Sequence, residues 1–327
     1  MCTGVRFNDD KGNFYFGRNL DWTTDYGEKV ILTPRGFRYQ SALLGEITPK
    51  SGAVLGMGII EEEKPLYFDC VNESGLAVAG LNFPGYAKYE SAPVENKINV
   101  AAYEFPLWLT LNFHTVAEAL DVLKNVAIVD HPINEKYPSS QLHFLLADKT
   151  SSVVLEYTER GMEIFENPVD ILTNQPNYAW HRENLRNYLD LSPEMPSEID
   201  WQARKLTPFG TGALLENLPG GYSPTARFVR AAYLNTHYPV KSNETDNLAR
   251  LFHTLEGVAM IEGAAKMKDG ASEITLYTSG YSSALKTYYY KTYSDFSLKS
   301  VAFNDQPLDS AALLQPEPKI LIKESAS

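Results

Sequence analysis

Hydrophobic and polar positions follow a two-residue period over most of the chain, with three stretches of helical period set between. The first hundred residues read as short alternating runs. "CTGVRF" puts Cys2, Gly4 and Arg6 on one face of a strand and Thr3, Val5 and Phe7 on the other. The polar "NDDKGN" that follows is turn chemistry, so residues 2–7 and 13–19 are predicted to form a hairpin. Further strands are predicted at "KVILT", "GAVLGMGII", "PLYFDCV" and "GLAVAGLNF", with "NESG" as the turn between the last two.

Helical period enters at "HTVAEALDVLKNV". Thr115 and Glu118 form a capping box there, and Val116, Leu120 and Leu123 share a face. Strands return at "QLHFLLAD", "SSVVLEYT", "GMEIFEN" and "VDILTN". Two more helices follow. One has Ser223 as N-cap and Pro224 as its first residue, and the other is "NLARLFHTLEGVAM". The C-terminal part is strand-like again at "EITLYTS", "LKTYYYKTY" and "LKSVAF", and "SPEMPSEIDWQARK" is the clearest loop. Strands in runs with helices in groups, and no βαβ alternation, predict an α+β chain of antiparallel sheets covered by helices. No linker or repeat divides it, so one domain is expected over residues 1–327.

Composition narrows the partners. Lys and Arg number 29 against 41 Asp and Glu, a formal charge of −12, and no basic run interrupts the chain. That balance opposes nucleic acid and anionic membrane surfaces. No window approaches the apolar length of a membrane span, and the start lacks a basic n-region and an apolar h-region. The expected location is therefore cytoplasmic. The two sequons, at Asn72 and Asn243, carry no weight in that compartment.

Only two cysteines are present, Cys2 and Cys70, too few for a disulfide framework or a grouped zinc site. Six scattered histidines form no metal-binding spacing, and no phosphate loop, dinucleotide loop or serine elbow is found. No metal or organic cofactor is expected. Cys2 is the unusual feature. Once Met1 is removed it carries a nucleophilic thiol and a free α-amine in one residue. The alternatives are an arbitrary residue in a frayed terminus, or a papain-like site with His143 or His253 as base. Around it stand short polar motifs. "FGRNLDW" places Arg18 and Asp21 in the strand predicted to pair with the Cys2 strand. A guanidinium there would favour thiolate, and a carboxylate would orient the amine. Asn82 in "GLNFPGY" and Asn174 in "LTNQP" end apolar strands, as oxyanion donors or as ordinary turn residues. Arg227 in "SPTARFVR" sits in a first helical turn, where a cation opposes the helix dipole and needs a specific partner.

Taken together, "MCTG", "FGRNLDW", "NESGLAVAGLNFPGY", "LTNQP" and "SPTARFVR" closely resemble the choloylglycine hydrolase family of N-terminal-nucleophile hydrolases. That family contains bile salt hydrolases and penicillin V acylases. The resemblance spans essentially the whole chain. It implies a four-layer αββα sandwich, commonly a homotetramer, and a cysteine amidase acting on conjugated bile salts. It also implies site roles for Cys2, Arg18, Asp21, Asn82, Asn174 and Arg227. Asn82 favours bile salts over penicillin V, since the acylases tend to carry tyrosine there. N-acyl-homoserine lactones are a further substrate class, and an inactive bile acid or lipid carrier is the alternative of a different kind. Trp22, Tyr26 and Ile133 in "AIVDHPINEKY" are the expected walls of a sterol pocket.

Overall fold

Two seven-stranded antiparallel sheets organise the computed structural model, which describes residues 1–321; residues 322–327 of the expected domain lie outside the described residues. The first sheet runs in the order Ile171–Leu172, Cys2–Asn8, Phe14–Trp22, Ile274–Ser282, Thr287–Thr292, Lys299–Ala302, Lys319–Ile320. The second runs Gly161–Glu166, Ser152–Thr158, Leu142–Ala147, Ala77–Asn82, Lys64–Asn72, Val54–Glu61, Lys29–Thr33. The predicted N-terminal hairpin is present, with Cys2 opposite Leu20 and Gly4 opposite Arg18.

Period-two alternation decides which layer each strand residue meets. In Ala77–Asn82, residues Ala77, Ala79 and Leu81 point into the core shared with the first sheet, and Val78 points the other way. Helices α1 (Phe105–Asn112) and α2 (Val116–Leu123) cover that outer face through Phe105, Trp108, Leu109 and Val116. On the far side of the first sheet lie α4 (Pro224–His237) and α5 (Glu244–Glu256), bringing Phe228, Leu248 and Leu251. A short α3 (Tyr178–Asn184) follows the first sheet's edge strand. The result is the expected αββα order, helices outside and two sheets face to face. Gly17 and Gly280 are paired across the first sheet, beneath Leu251. A Cβ at Gly17 would stand 2.4 Å from the Ser279 carbonyl oxygen, and one at Gly280 would stand 2.6 Å from Leu251 Cδ2. The absent side chains let α5 settle directly onto the strand that carries Arg18.

Three local readings are corrected. The expected strand "VDILTN" shrinks to Ile171–Leu172, because Thr173 and Asn174 leave the ladder toward the site. The segment "SPEMPSEIDWQARK" is not all loop, since Ile199–Trp201 pairs with Arg204–Leu206 as an exposed hairpin. The last long helix starts earlier, at Glu244, because Asn243 caps it by accepting from the Asp246 N–H. The Thr115 and Ser223 caps stand as expected.

Candidate active site

Cys2 opens the second strand of the first sheet: its main chain pairs with Leu20 on one side, and Gly4 and Val5 just after it pair with Leu172 and Ile171 on the other, so the terminus does not fray. It is buried, and its sulfur receives Arg18 Nη2 at 2.7 Å. Arg18 is itself fully buried between the sheets. Its Nη1 donates to the Phe68 and Gly80 carbonyls at 3.0 and 2.9 Å, which fixes the fork and leaves Nη2 for the thiol. Burial opposes the Arg18 charge, yet Cys2, Tyr277, Asp69 and Asp21 together raise its pKa, so the guanidinium is a permanent cation beside the sulfur.

The main-chain nitrogen of Cys2 has a separate holder. It donates to Asn174 Oδ1 at 2.8 Å, and Arg227 Nη2 donates to the same oxygen at 2.7 Å. Asn174 Nδ2 donates to the Asn82 carbonyl at 2.8 Å, tying the ends of the two sheets together. Arg227 also binds the Cys2 carbonyl at 2.6 Å and Thr3 Oγ1 at 2.5 Å. That is the partner its place in the first turn of α4 required. Asp21 Oδ2 lies 3.7 Å from Arg227 Nη1, and Asp21 Oδ1 accepts from Thr275 Oγ1 at 2.6 Å. Oδ2 itself is buried with no hydrogen-bond partner among the described residues. Burial raises the Asp21 pKa, with Arg227 the foremost opposing charge.

Met1 precedes Cys2 in this structure. Its ammonium donates to the Asp21 carbonyl at 2.5 Å and to the Glu273 carboxylate. Burial pushes the pKa of this terminal amine below its ordinary value. The structure thus brings Cys2, Arg18, Asp21, Asn174 and Arg227 into one connected set. Asn82 joins it through its carbonyl, and its half-buried side chain forms no hydrogen bond among the described residues.

The predicted pocket residues form no hydrogen bond to this set among the described residues. Trp22, half-buried, ends the Arg18 strand. Tyr26 is 37 % exposed, with its ring 5.8 Å from that of Phe68. Burial first, then Glu28 and Tyr137, raise the Tyr26 pKa, and in the Ile133 loop the Ile133 N–H donates to the Tyr137 carbonyl at 3.1 Å. Neither histidine offered as a base faces the thiol. His143 spends its two ring nitrogens on the Thr173 carbonyl and Glu156, and His253 lies exposed against Glu256.

Asp69 escaped the sequence reading. This buried carboxylate accepts from Tyr277 at 2.5 Å, Tyr288 at 2.6 Å and Ser279 at 3.0 Å, and is one of the charges that support Arg18. The signal was there, an Asp inside the apolar strand "PLYFDCV" facing a tyrosine-rich strand. Thr275, which holds Asp21, has no signature of its own.

Known proteins resemble this chain along nearly its full length. A family model described as linear amide C–N hydrolases, choloylglycine hydrolase family, matches residues 2–315. The "Bile salt hydrolase/transferase" of Bifidobacterium longum is 48 % identical over 314 residues, covering 96 % of this chain and 99 % of that protein. The "Conjugated bile acid hydrolase" of Lactobacillus gasseri is 44 % identical over 315 residues, covering 96 % of this chain and 99 % of that protein. A solved variant of conjugated bile acid hydrolase from Clostridium perfringens superposes with a TM-score of 0.90 at 34 % identity, covering 98 % of both chains. The sandwich, the buried Cys2 with its two arginines, and the family and sequence matches point the same way: this chain belongs to the choloylglycine hydrolase family of linear amide C–N hydrolases.

Proposed function

We propose that this protein hydrolyses the amide bond of glycine- and taurine-conjugated bile salts, with Cys2 as nucleophile after removal of Met1. The observation that carries the reading is the separate grip on the atoms of one residue: Arg18 donates to the sulfur, Asn174 Oδ1 accepts from the nitrogen, and Arg227 holds both that oxygen and the Cys2 carbonyl. Removal of Met1 turns the Cys2 nitrogen into a free amine in the same buried network. Burial keeps such an amine neutral at lower pH than in water, which suits a general base near neutrality. The amine takes the thiol proton as sulfur adds to the substrate carbonyl, and the oxyanion falls to the Asn82 side-chain amide, a donor typically worth about 3 kcal/mol. The C–N bond then breaks as the ammonium returns that proton to the leaving glycine or taurine nitrogen. Water hydrolyses the thioester, releasing the bile acid and restoring the thiol. Asp21, whose Oδ2 has no hydrogen-bond partner among the described residues, accepts from the new ammonium.

The sterol is assigned to the rim formed by Trp22, Tyr26 and the Ile133 loop. Their apolar faces and Tyr26's exposed ring suit a rigid amphipathic ligand. The names of the relatives point to the same substrate. A cytoplasmic location is consistent with the described residues, where no helix is long and apolar enough to cross a membrane. A homotetramer is supported by Leu189, Met195, Ile199, Trp201 and Phe209, all exposed on one excursion between α3 and α4.

The test is release of glycine or taurine from glycocholate and taurocholate, with penicillin V alongside and Cys2→Ser as control. Thiol-dependent release from the cholates supports the reading. Release mainly from penicillin V moves it to the acylase branch. Thiol-dependent release from none of the three overturns it, and intact mass reports whether Met1 has gone.

A further inference from the structure

Behind Asn174, away from the thiol, two buried imidazoles hold consecutive carbonyls. His143 Nε2 lies 2.9 Å from the Thr173 carbonyl oxygen, and His181 Nε2 lies 2.9 Å from that of Asn174. Both rings are fully buried. A carbonyl only accepts, so each Nε2 carries its proton and donates. His181 Nδ1 then holds an acceptor lone pair, and it is buried with no hydrogen-bond partner among the described residues. His143 Nδ1 faces Glu156 Oε1 at 3.3 Å, and that oxygen also takes the Tyr178 N–H at 2.8 Å, the first N–H of α3.

Each ring is also stacked. His143 lies 4.2 Å from Phe83 at an interplanar angle of 9°, and His181 lies 4.5 Å from Phe228 at 21°. Phe83 immediately follows Asn82, and Phe228 immediately follows Arg227. The two imidazoles therefore touch the chain at Thr173–Asn174 by hydrogen bond and at the neighbours of Asn82 and Arg227 by ring contact. Three polar residues from three distant segments are referenced to one another through these two rings.

We propose that His143 and His181 are positioning residues that clamp Thr173 and Asn174, and so hold Asn174 Oδ1 on the Cys2 nitrogen and on Arg227. The backbone needs such a clamp because Asn174 stands past the end of its ladder, where no strand partner fixes its carbonyl. The buried, partnerless Nδ1 of His181 is a cost that a purely apolar core residue would not carry. The proposal rests on the amide-hydrolase reading for its kinetic readout only.

The test compares His181→Phe, which fills the space and keeps the stack without a donor, with His181→Gln, whose Nε2 reproduces the donor. On glycocholate, kcat of His181→Phe should fall roughly tenfold with KM within about twofold of the starting protein, and His181→Gln should recover most of the loss. The rate at which iodoacetamide alkylates Cys2, read on the N-terminal peptide, should fall several-fold in the Phe variant and not in the Gln variant. Equal losses in both variants, or wild-type rates in both once corrected for folded fraction, would overturn the clamp. Should His181→Phe not fold, His143→Leu against His143→Gln is judged by the same criteria. Failure of both apolar variants to fold, with both glutamine variants at full rate, would reduce the role to stability and also overturn it. A wild type that cleaves no acyl amide sinks the substrate reading instead, and the alkylation rates still decide the clamp.

Discussion

Cys2 and Cys70 are both buried thiols in the strands of this sandwich, and their surroundings could hardly differ more. Cys70 points out of the second sheet toward α1, where its sulfur meets Thr110 Oγ1 at 3.5 Å and the Pro106 carbonyl at 3.7 Å among Ile31, Val54, Leu107 and Leu111. Burial pushes its pKa well above the ordinary thiol range, with Asp69 adding to the rise and Thr110 opposing it. Cys2 is as deeply buried, but a fixed guanidinium donates to its sulfur and a second arginine grips its carbonyl. Depth does not make a thiol inert or reactive. The charge and donors placed against it do.

The largest effect should come from exchanging the two. Cys2→Ser is expected to lower kcat/KM on glycocholate on the order of 10³-fold or more, and Cys70→Ser should leave it within about twofold. A comparable loss at both positions in folded protein would break the contrast. Next is the charge itself. Arg18→Leu removes the donor to sulfur and should lower kcat/KM by about 10²-fold. Cys2 alkylation should slow with it, and Cys70 should stay unreactive until the protein is unfolded, which peptide mapping of labelled protein would read.

A smaller effect should separate the regions by pH. Burial pushes the His181 pKa down to about 4 from 6.5, so the ring resists protonation in the folded state. Above pH 6.5 folded and unfolded chains are both neutral there, and the stability is fully present. As pH falls below that, the unfolded chain takes the proton first, and stability is lost progressively until pH 4. Between pH 7 and pH 5 this group should remove about 2 kcal/mol, read by urea unfolding at the two values. The difference should shrink in His181→Gln; an unchanged difference would assign the acid loss elsewhere. Smallest is Cys70→Ser, expected to cost about 1 kcal/mol through a more polar group in an apolar site, measured at pH 7.

The legibility of the chain followed its local chemistry. Strands with one turn signal at each end and helices with a cap and one apolar face were found close to their bounds. Helix α1 went unseen because Phe105–Leu111 is buried on every side, so no polar face marks its period. Asn243 was missed as a cap because polar residues separate it from the first apolar position of α5.

The sequence by itself determined an α+β chain of antiparallel sheets covered by helices, the thiol at the second position, and the polar motifs that gather around it, because turn residues, periodicity and residue type act over a few positions; the αββα layering was implied by the family resemblance. Only the tertiary structure decided which arginine holds which atom. Arg18 and Arg227 are both buried cations near one cysteine, and their division of sulfur from carbonyl depends on two sheets and α4 meeting at one point. The same holds for Asp69, Thr275 and the two imidazoles behind Asn174. Their partners lie from seven to more than two hundred residues away, and no local pattern encodes a contact that exists only once the layers are stacked.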